Sequence, residues 1–156
     1  MISRPRRASG FLRRIGEAAA VIAVLAPCAA WAASPDVTVT DGRMQVIMAA
    51  RPAAGYFVLR NRGHAPLSLT GANAPDCKSL MLHKSSQQGG MARMEMVDSV
   101  RVPAGGTVRF APGGYHLMCM DPSGPLLSGT GTEPVTLRFG DAGAIETSFA
   151  IQKAGQ

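Results

Sequence analysis

Short β-type segments, separated by turn residues about every ten positions, constrain the fold of this 156-residue chain more than any other feature. Residues 56–60 and 115–120 are typical: each runs for a few apolar or alternating positions and then meets asparagine, aspartate or proline. After the first 32 residues, no segment sustains a helical period. Many short strands with turns at this spacing predict an all-β Greek-key barrel or sandwich.

Ten strands are predicted within one domain, because the sequence contains no repeat, linker or second apolar core. The adjacent glycines Gly89 and Gly90 predict a hairpin turn. The predicted strands are 37–40, 44–48, 56–60, 66–70, 79–84, 94–97, 107–110, 115–120, 135–139 and 145–151.

Residues 1–32 are predicted to be a cleaved export signal that sends the domain, 33–156, to the periplasm. Arginines precede an apolar run at 18–27, and a small-residue cleavage pattern ends at Ala32. This run is shorter than the roughly 20 residues that span a bilayer, which predicts no stable membrane insertion. The residues before Cys28 weakly resemble a lipoprotein processing site, but the proline directly before the cysteine argues against it.

The positive charge of the chain belongs mainly to this signal. The full sequence carries +6, of which five arginines and one glutamate lie in the first 32 residues, so residues 33–156 carry only +2. No basic stripe interleaved with aromatic residues follows. Nucleic acid is therefore not an expected partner.

Two cysteines, Cys77 and Cys119, remain in the predicted domain. An exported protein meets an oxidising environment, which favours a disulfide between them. Two buried free thiols or a role in metal binding remain open alternatives. The absence of a Cys-x-x-Cys pattern argues against a thiol oxidoreductase.

The stretch GGYHLMCM, residues 113–120, has an unusual division of side chains between the two faces of a strand. In a regular strand, His116, Met118 and Met120 point to one side, whereas Leu117 and Cys119 point to the other. Leucine and cysteine form an ordinary core face. The opposite face then carries an imidazole and two thioethers where ordinary polar residues would be expected.

Thioethers and imidazoles together predict a copper site. The domain has few aromatic residues but eight methionines, and His83 lies in another strand of the same half. Soft sulfur ligands select Cu(I), and imidazole also binds copper well. His116 and Met118 emerge on one face about 7 Å apart, and a hairpin at the glycine pair would bring His83 and Met94 to neighbouring strands.

The spacing of these four residues resembles the signature of the periplasmic copper chaperones of the PCuAC family. His83 is followed after ten residues by Met94, after twenty-one more by His116, and after one more by Met118. The stretches GYFVLRN, from Gly55, and PGGYHLM, from Pro112, are also similar to the family.

This resemblance implies a cupredoxin-like β-barrel that binds Cu(I) near its surface, with Cu(II) left open. It implies that His83, Met94, His116 and Met118 are the ligands. It also implies a monomer that delivers copper to the cytochrome c oxidase subunit with the binuclear copper centre, or acts with a Sco-type protein.

The remaining methionines have ordinary interpretations, because a thioether packs well into irregular gaps. Met44, Met48 and Met81 are predicted to fill the core. Met91 and Met96 are predicted to pack in the core or lie in a loop, with a role as a spare ligand or lid as the alternative.

Two further residues are judged by position alone. Met120 is either a core residue or a spare ligand, and His64 is predicted to be a solvent-exposed turn residue. In one departure from the family, His83 is followed by Lys84-Ser85 where relatives often carry a methionine.

Three other classes of function compete with metal transfer. An electron-transfer copper protein needs a cysteine thiolate with two histidines around the metal, and the order of residues here does not provide it. A metal-free β-sandwich binding module requires the four-residue spacing to be coincidence. A hydrolase lacks support, because no Ser-His-Asp or paired-carboxylate pattern is present. The prediction is therefore a metal-transfer protein rather than an enzyme.

Overall fold

The computed structural model describes residues 34–48 and 51–154, so the predicted export signal and Cys28 lie outside the described residues. Strands make up most of this part, with one short α-helix, α1 (Gly124–Ser128), and one 3-10 turn, Gly140–Ala142. No helix within this part is long and apolar enough to cross a membrane. The strands are β1 (Val37–Val46), β2 (Ala53–Asn61), β3 (Leu67–Leu69), β4 (Gly71–Asn73), β5 (Cys77–Gln88), β6 (Met91–Met96), β7 (Val100–Val102), β8 (Thr107–Phe110), β9 (Tyr115–Pro122), β10 (Thr132–Arg138) and β11 (Ala144–Lys153).

Nine of the strands described here form one sheet in the order β4-β10-β11-β1-β2-β8-β9-β5-β6. A further pairing between β4 and β5 closes eight of them into a barrel, and β6 extends outward from the second half of β5 as an edge strand. β3 and β7 pair separately as a two-stranded ribbon. The prediction of an all-β barrel is confirmed.

The core lies inside the barrel, and strict alternation fills it. In β2, Phe57 and Leu59 are buried, and Phe57 stacks on Phe110 of β8 with ring centroids 4.2 Å apart. Leu82 of β5 and Leu117 of β9 point to the same interior. Because successive strand residues point to opposite faces, the neighbours of these core residues must lie on the outside of the barrel wall.

The first two predicted strands are one strand, β1, which carries a bulge. Pairing with β2 shifts register between Thr40 and Arg43, and Asp41 has φ of 55°. A Cβ at Gly42 would lie 2.7 Å from the ring of Phe149, so this position requires glycine. The bulge allows β1 to continue past a turn-like Asp-Gly sequence.

The structure adds elements that the pattern did not predict. β4 and β7 are only three residues long, too short for alternation to reveal them. The helix α1 was not predicted, because its five residues are too few to show a helical period. Pro125 lies in its first turn, a favoured position for proline, and Leu126 is fully buried. β1 also ends at Val46, two residues before the predicted end.

Asn61 gives the end of the GYFVLRN stretch a structural role. Its side chain is fully buried, and its Nδ2 donates hydrogen bonds to the carbonyls of Ala65 and Pro103 at 2.8 and 3.1 Å. Its Oδ1 accepts a hydrogen bond from the Gly63 N–H at 2.9 Å. The asparagine therefore ties together two loops at one end of the barrel.

Cys77 and Cys119 form a disulfide, with Cα atoms 5.3 Å apart. The bridge joins β5 to β9, neighbouring strands that are also paired from Ser79 to Lys84. The predicted disulfide is confirmed, and the alternatives of two free thiols or a metal-binding pair are wrong.

One carboxyl group is buried in the wall of the barrel. Glu133 of β10 is fully buried, its Oε1 accepts a hydrogen bond from the Asp76 N–H at 3.0 Å, and its Oε2 has no partner. Burial raises the pKa of Glu133 above its ordinary value of 4.5, and the nearby Asp76 carboxylate adds to the effect, while the hydrogen bond from the Asp76 N–H opposes it.

Replacing Glu133 with glutamine is therefore expected to flatten the pH dependence of stability. The pKa of Glu133 is higher in the folded state than in the unfolded state, so its protonated form stabilises the fold. This stabilisation is complete below the unfolded pKa and is lost as pH rises through the folded pKa. In urea unfolding, the free energy of unfolding of the variant minus that of the wild type should be larger at about pH 8 than at about pH 4. Glu146→Gln, at an exposed position on the neighbouring strand β11, is the matched control. Equal pH profiles for the Glu133→Gln variant and the wild type would contradict the assignment.

Candidate metal centre

The outer face of β6, β5, β9 and β2 carries an unusual set of side chains, here called the Met/His face. Residues opposite each other in an antiparallel pair share a face, as do residues two apart in one strand. The registers of β5 with β6 and of β5 with β9 therefore place these residues together. The Met/His face consists of Met81, His83, Met94, Met96, His116, Met118 and Met120.

His83 and His116 form the centre of this face. They are directly opposite each other in the β5–β9 ladder, and their ring centroids are 5.8 Å apart. A metal–nitrogen bond of about 2 Å puts an imidazole centre roughly 3 Å from the ion. The separation of the two rings therefore suits joint coordination of a single ion.

His116 is held in an orientation that leaves one nitrogen for a ligand. Its side chain is only 4% exposed, and its Nδ1 donates a hydrogen bond to the Gly114 carbonyl at 3.2 Å. A carbonyl oxygen can only accept, so the proton is on Nδ1 and the lone pair is on Nε2. Hydrogen bonds of this kind fix the tautomer of metal-binding histidines.

His83 has two buried ring nitrogens and no hydrogen-bond partner for either. A buried polar atom without a partner costs about 1–3 kcal/mol, so this arrangement lowers the stability of the fold. Burial lowers the pKa of His83 below its ordinary value of 6.5, and the nearby His116 adds to the shift. The imidazole is neutral at pH 7, the state in which it binds a metal.

The two predicted methionine ligands occupy different positions around this pair. Met118 is half-buried, two residues from His116 on β9 and opposite Met81. Met94 is 55% exposed on β6, where its direct partner is Ser85 rather than His83. The structure thus brings the two histidines and Met118 together. It puts Met94 on the same face, two residue pairs further along the β5–β6 ladder.

Tyr56 and Arg43 complete the far side of the site, and the sequence reasoning missed both roles. The ring of Tyr56 on β2 lies 6.4 Å from the ring of His116, and the guanidinium of Arg43 lies 5.1 Å above the Tyr56 ring. The bulge in β1 makes Arg43 the direct partner of Tyr56. The GYFVLRN stretch was a signal for Tyr56, whereas nothing in the sequence indicated Arg43.

The other methionines and the third histidine can now be placed. Met44 is fully buried, as predicted, but Met48 is 53% exposed, so its predicted place in the core is wrong. Met81 is half-buried on the Met/His face and not in the core, because β5 turns Leu80 and Leu82 inward instead. His64 lies in an exposed bend, as predicted.

The donors on this face are two imidazoles and several thioethers. No group of three or more His, Cys, Asp or Glu side chains capable of holding a metal occurs in the described part of the chain. Hard cations prefer oxygen ligands, whereas thioether sulfur favours soft ions such as Cu(I). The arrangement can therefore bind a soft monovalent ion without adding negative charge.

Comparison with known proteins gives one family and one relative. Residues 37–151 match the family described as "Putative lipoprotein LpqE-like". The chain is 34% identical over 100 residues to "Putative lipoprotein Lxx21020" of Leifsonia xyli subsp. xyli. That match covers 64% of this chain and 60% of the length of the relative.

Solved structures of similar fold include two copper-bound proteins. A copper-bound PCuAC domain from PmoF2 has a TM-score of 0.60 at 22% identity, covering 78% of this chain and 96% of that domain. The Cu(I) form of DR1885 from Deinococcus radiodurans has a TM-score of 0.57 at 31% identity, covering 80% of both chains. The predicted resemblance to PCuAC domains and the cupredoxin-like fold are confirmed.

Proposed function

Since this chain belongs to the LpqE-like lipoprotein family, we propose that it is an exported metallochaperone that binds Cu(I) at the Met/His face. The observation that carries the proposal is the pair of facing imidazoles, one of which has both nitrogens buried without a partner. The copper-bound relatives DR1885 and the PmoF2 domain support the choice of ion. The ligands in this proposal are His83, Met94, His116 and Met118.

The chemistry of these ligands suits transfer rather than storage. Thioethers and imidazoles are neutral, so Cu(I) can bind and leave without exchange of protons at sulfur. Thioethers also do not form disulfides in an oxidising compartment, unlike thiolates. Met94 lies on an exposed edge strand, where an incoming ligand of a partner can replace it first.

The competing role of an electron-transfer copper protein is disfavoured. Such a centre needs a cysteine thiolate bound to the copper, and both Cys77 and Cys119 are engaged in a disulfide. Binding and transfer also account for the site without any catalytic step.

The direct test is an anaerobic titration of the domain, residues 33–156, with Cu(I) against a chromophoric Cu(I) chelator. We expect one Cu(I) per chain, no comparable binding of Zn(II), and no change in the His64→Ala variant, because His64 is exposed in a bend and is not one of the residues of the Met/His face. Tighter binding of Zn(II) than of Cu(I), or loss of binding in the His64→Ala variant, would contradict the proposal.

The finer proposal is delivery of copper to the binuclear centre of cytochrome c oxidase, directly or together with a Sco-type protein. Its test is to mix the Cu(I)-loaded domain with the apo form of a soluble oxidase copper domain. The purple absorption of the acceptor should then appear after oxidation. Retention of all the copper by the donor would argue for copper tolerance instead.

We also propose that the domain is released into the periplasm after cleavage behind Ala32 or Ala33. The lipoprotein relatives support export but raise a second outcome, in which Cys28 is lipidated and retained. The intact mass of the protein from an exporting host separates the two, because a diacylated Cys28 adds lipid mass and residues 28–32 or 28–33.

A further inference from the structure

We propose that Met96 is a further copper ligand of this chain, outside the four-residue pattern, so that β6 offers two exchangeable thioethers to one ion. This inference rests on the proposed Cu(I) binding and concerns how the ion is held. It begins from the register of the β5–β6 hairpin.

The turn of this hairpin consists of Gly89 and Gly90, whose φ values are 60° and 80°. Glycine adopts such values at no steric cost, and they are typical of the two-residue turns that fix the register of a hairpin. Gln88 is therefore opposite Met91, and the same ladder puts Met96 opposite His83.

Distance along the ladder favours Met96 over Met94 as the nearest thioether to His83. Directly opposed residues have Cβ atoms about 4.5–5.5 Å apart, whereas diagonal neighbours are about 7–8 Å apart. Met96 is the direct partner of His83, and Met94 is a diagonal one. Both are within reach of a long side chain.

Neither methionine must give up packing in order to turn toward an ion. Met96 is 64% exposed, and every residue of β6 is exposed. Met96 also lines, with Met81, an open cleft of about 240 Å³, so another thioether of the Met/His face lies close by. A methionine has three rotatable bonds and adapts readily to a new partner.

Two thioethers that alternate on one ion explain how copper could leave without passing through a poorly coordinated state. When a partner displaces Met94, Met96 can hold the ion on His83 and His116, and the reverse is equally possible. The edge strand would then control release, while the two histidines and Met118 retain the ion.

The experiment combines variants with nuclear magnetic resonance of methionine methyl groups. The domain, labelled with ¹³C at the methionine methyl carbons, is titrated anaerobically with Cu(I) as wild type and as the variants Met94→Leu, Met96→Leu and the double variant. Met91→Leu is the matched control: Met91 is on the same strand and 75% exposed, but an odd number of residues from Met94 and Met96, so it faces away.

We expect each single variant to weaken Cu(I) binding by no more than about threefold and the double variant by about 100-fold or more. Independent effects would give only about tenfold in the double variant, so this excess marks interchangeable ligands. The Met96 methyl resonance should shift on binding of Cu(I), in the wild type and in Met94→Leu. The Met91→Leu variant should bind as the wild type does.

An unshifted Met96 methyl, together with a Met94→Leu variant as weak as the double variant, would overturn this inference alone. Failure of the wild type to bind Cu(I), or full binding in a variant that lacks His83, would instead overturn the proposed function. The two failures are therefore distinguishable.

Discussion

Replacing His83 with leucine is expected to weaken Cu(I) binding by about 100-fold or more, corresponding to about 2.7 kcal/mol, without lowering the stability of the metal-free protein. Binding should fall because one of two facing imidazoles is lost. Stability should be retained or increase because the variant removes two buried nitrogens that have no partner. A chelator competition assay and urea unfolding of the same sample measure the two effects.

Two matched variants make this result specific. His64→Leu removes an exposed histidine and should change neither quantity. His116→Ala should weaken Cu(I) binding as His83→Leu does, but should also lower stability, because it empties a buried position and removes the hydrogen bond from the imidazole to the Gly114 carbonyl. A His83→Leu variant that binds Cu(I) like the wild type would exclude His83 from the site.

Removing the disulfide with Cys77→Ala and Cys119→Ala together is expected to lower the free energy of unfolding by about 4 kcal/mol. The bridge closes a loop with a sequence separation of 42 residues, and the chain-entropy argument assigns that amount to a loop of this length. Such a loss is a large part of the roughly 5–15 kcal/mol that stabilises an ordinary domain. Urea unfolding at neutral pH measures it.

The same double variant should still bind Cu(I) once folded. His83 and His116 are held opposite each other by a ladder that runs from Ser79 to Lys84 on β5, and this ladder does not depend on the sulfur atoms. The reduced wild type is the control, and it should be destabilised to a similar extent. Unchanged stability in both would show that the bridge does not constrain the unfolded chain.

Much of the fold and the core of the candidate site could be predicted from the sequence because they depend on local alternation. The choice of face for His116 and Met118 follows from Leu117 and Cys119, which are fully buried. The glycine pair at 89–90 predicted the β5–β6 hairpin, and the structure has that hairpin.

The remaining features of the fold and the site depend on pairing between separate segments, which no single segment reveals. Met96 was predicted mainly to pack or lie in a loop, although a two-residue turn would have fixed its partner as His83. Arg43 reaches the site only because a bulge shifts the register of β1 against β2. Glu133 lies before the predicted strand 135–139, and only the pairing of β10 with β11, which turns it inward with Val135, reveals its burial.

Alternation along β5 and β9 also separates the residues that pack in the core from the residues that carry the metal donors. Odd-numbered positions of β9 hold the barrel together, whereas even-numbered positions carry the donors. The methionine donors, which are half-buried or exposed, can therefore be exchanged with little effect on folding. Imidazoles or carboxylates in place of Met81, Met94 and Met118 would turn the same scaffold toward zinc, which makes this wall of the barrel a natural starting point for the design of metal selectivity.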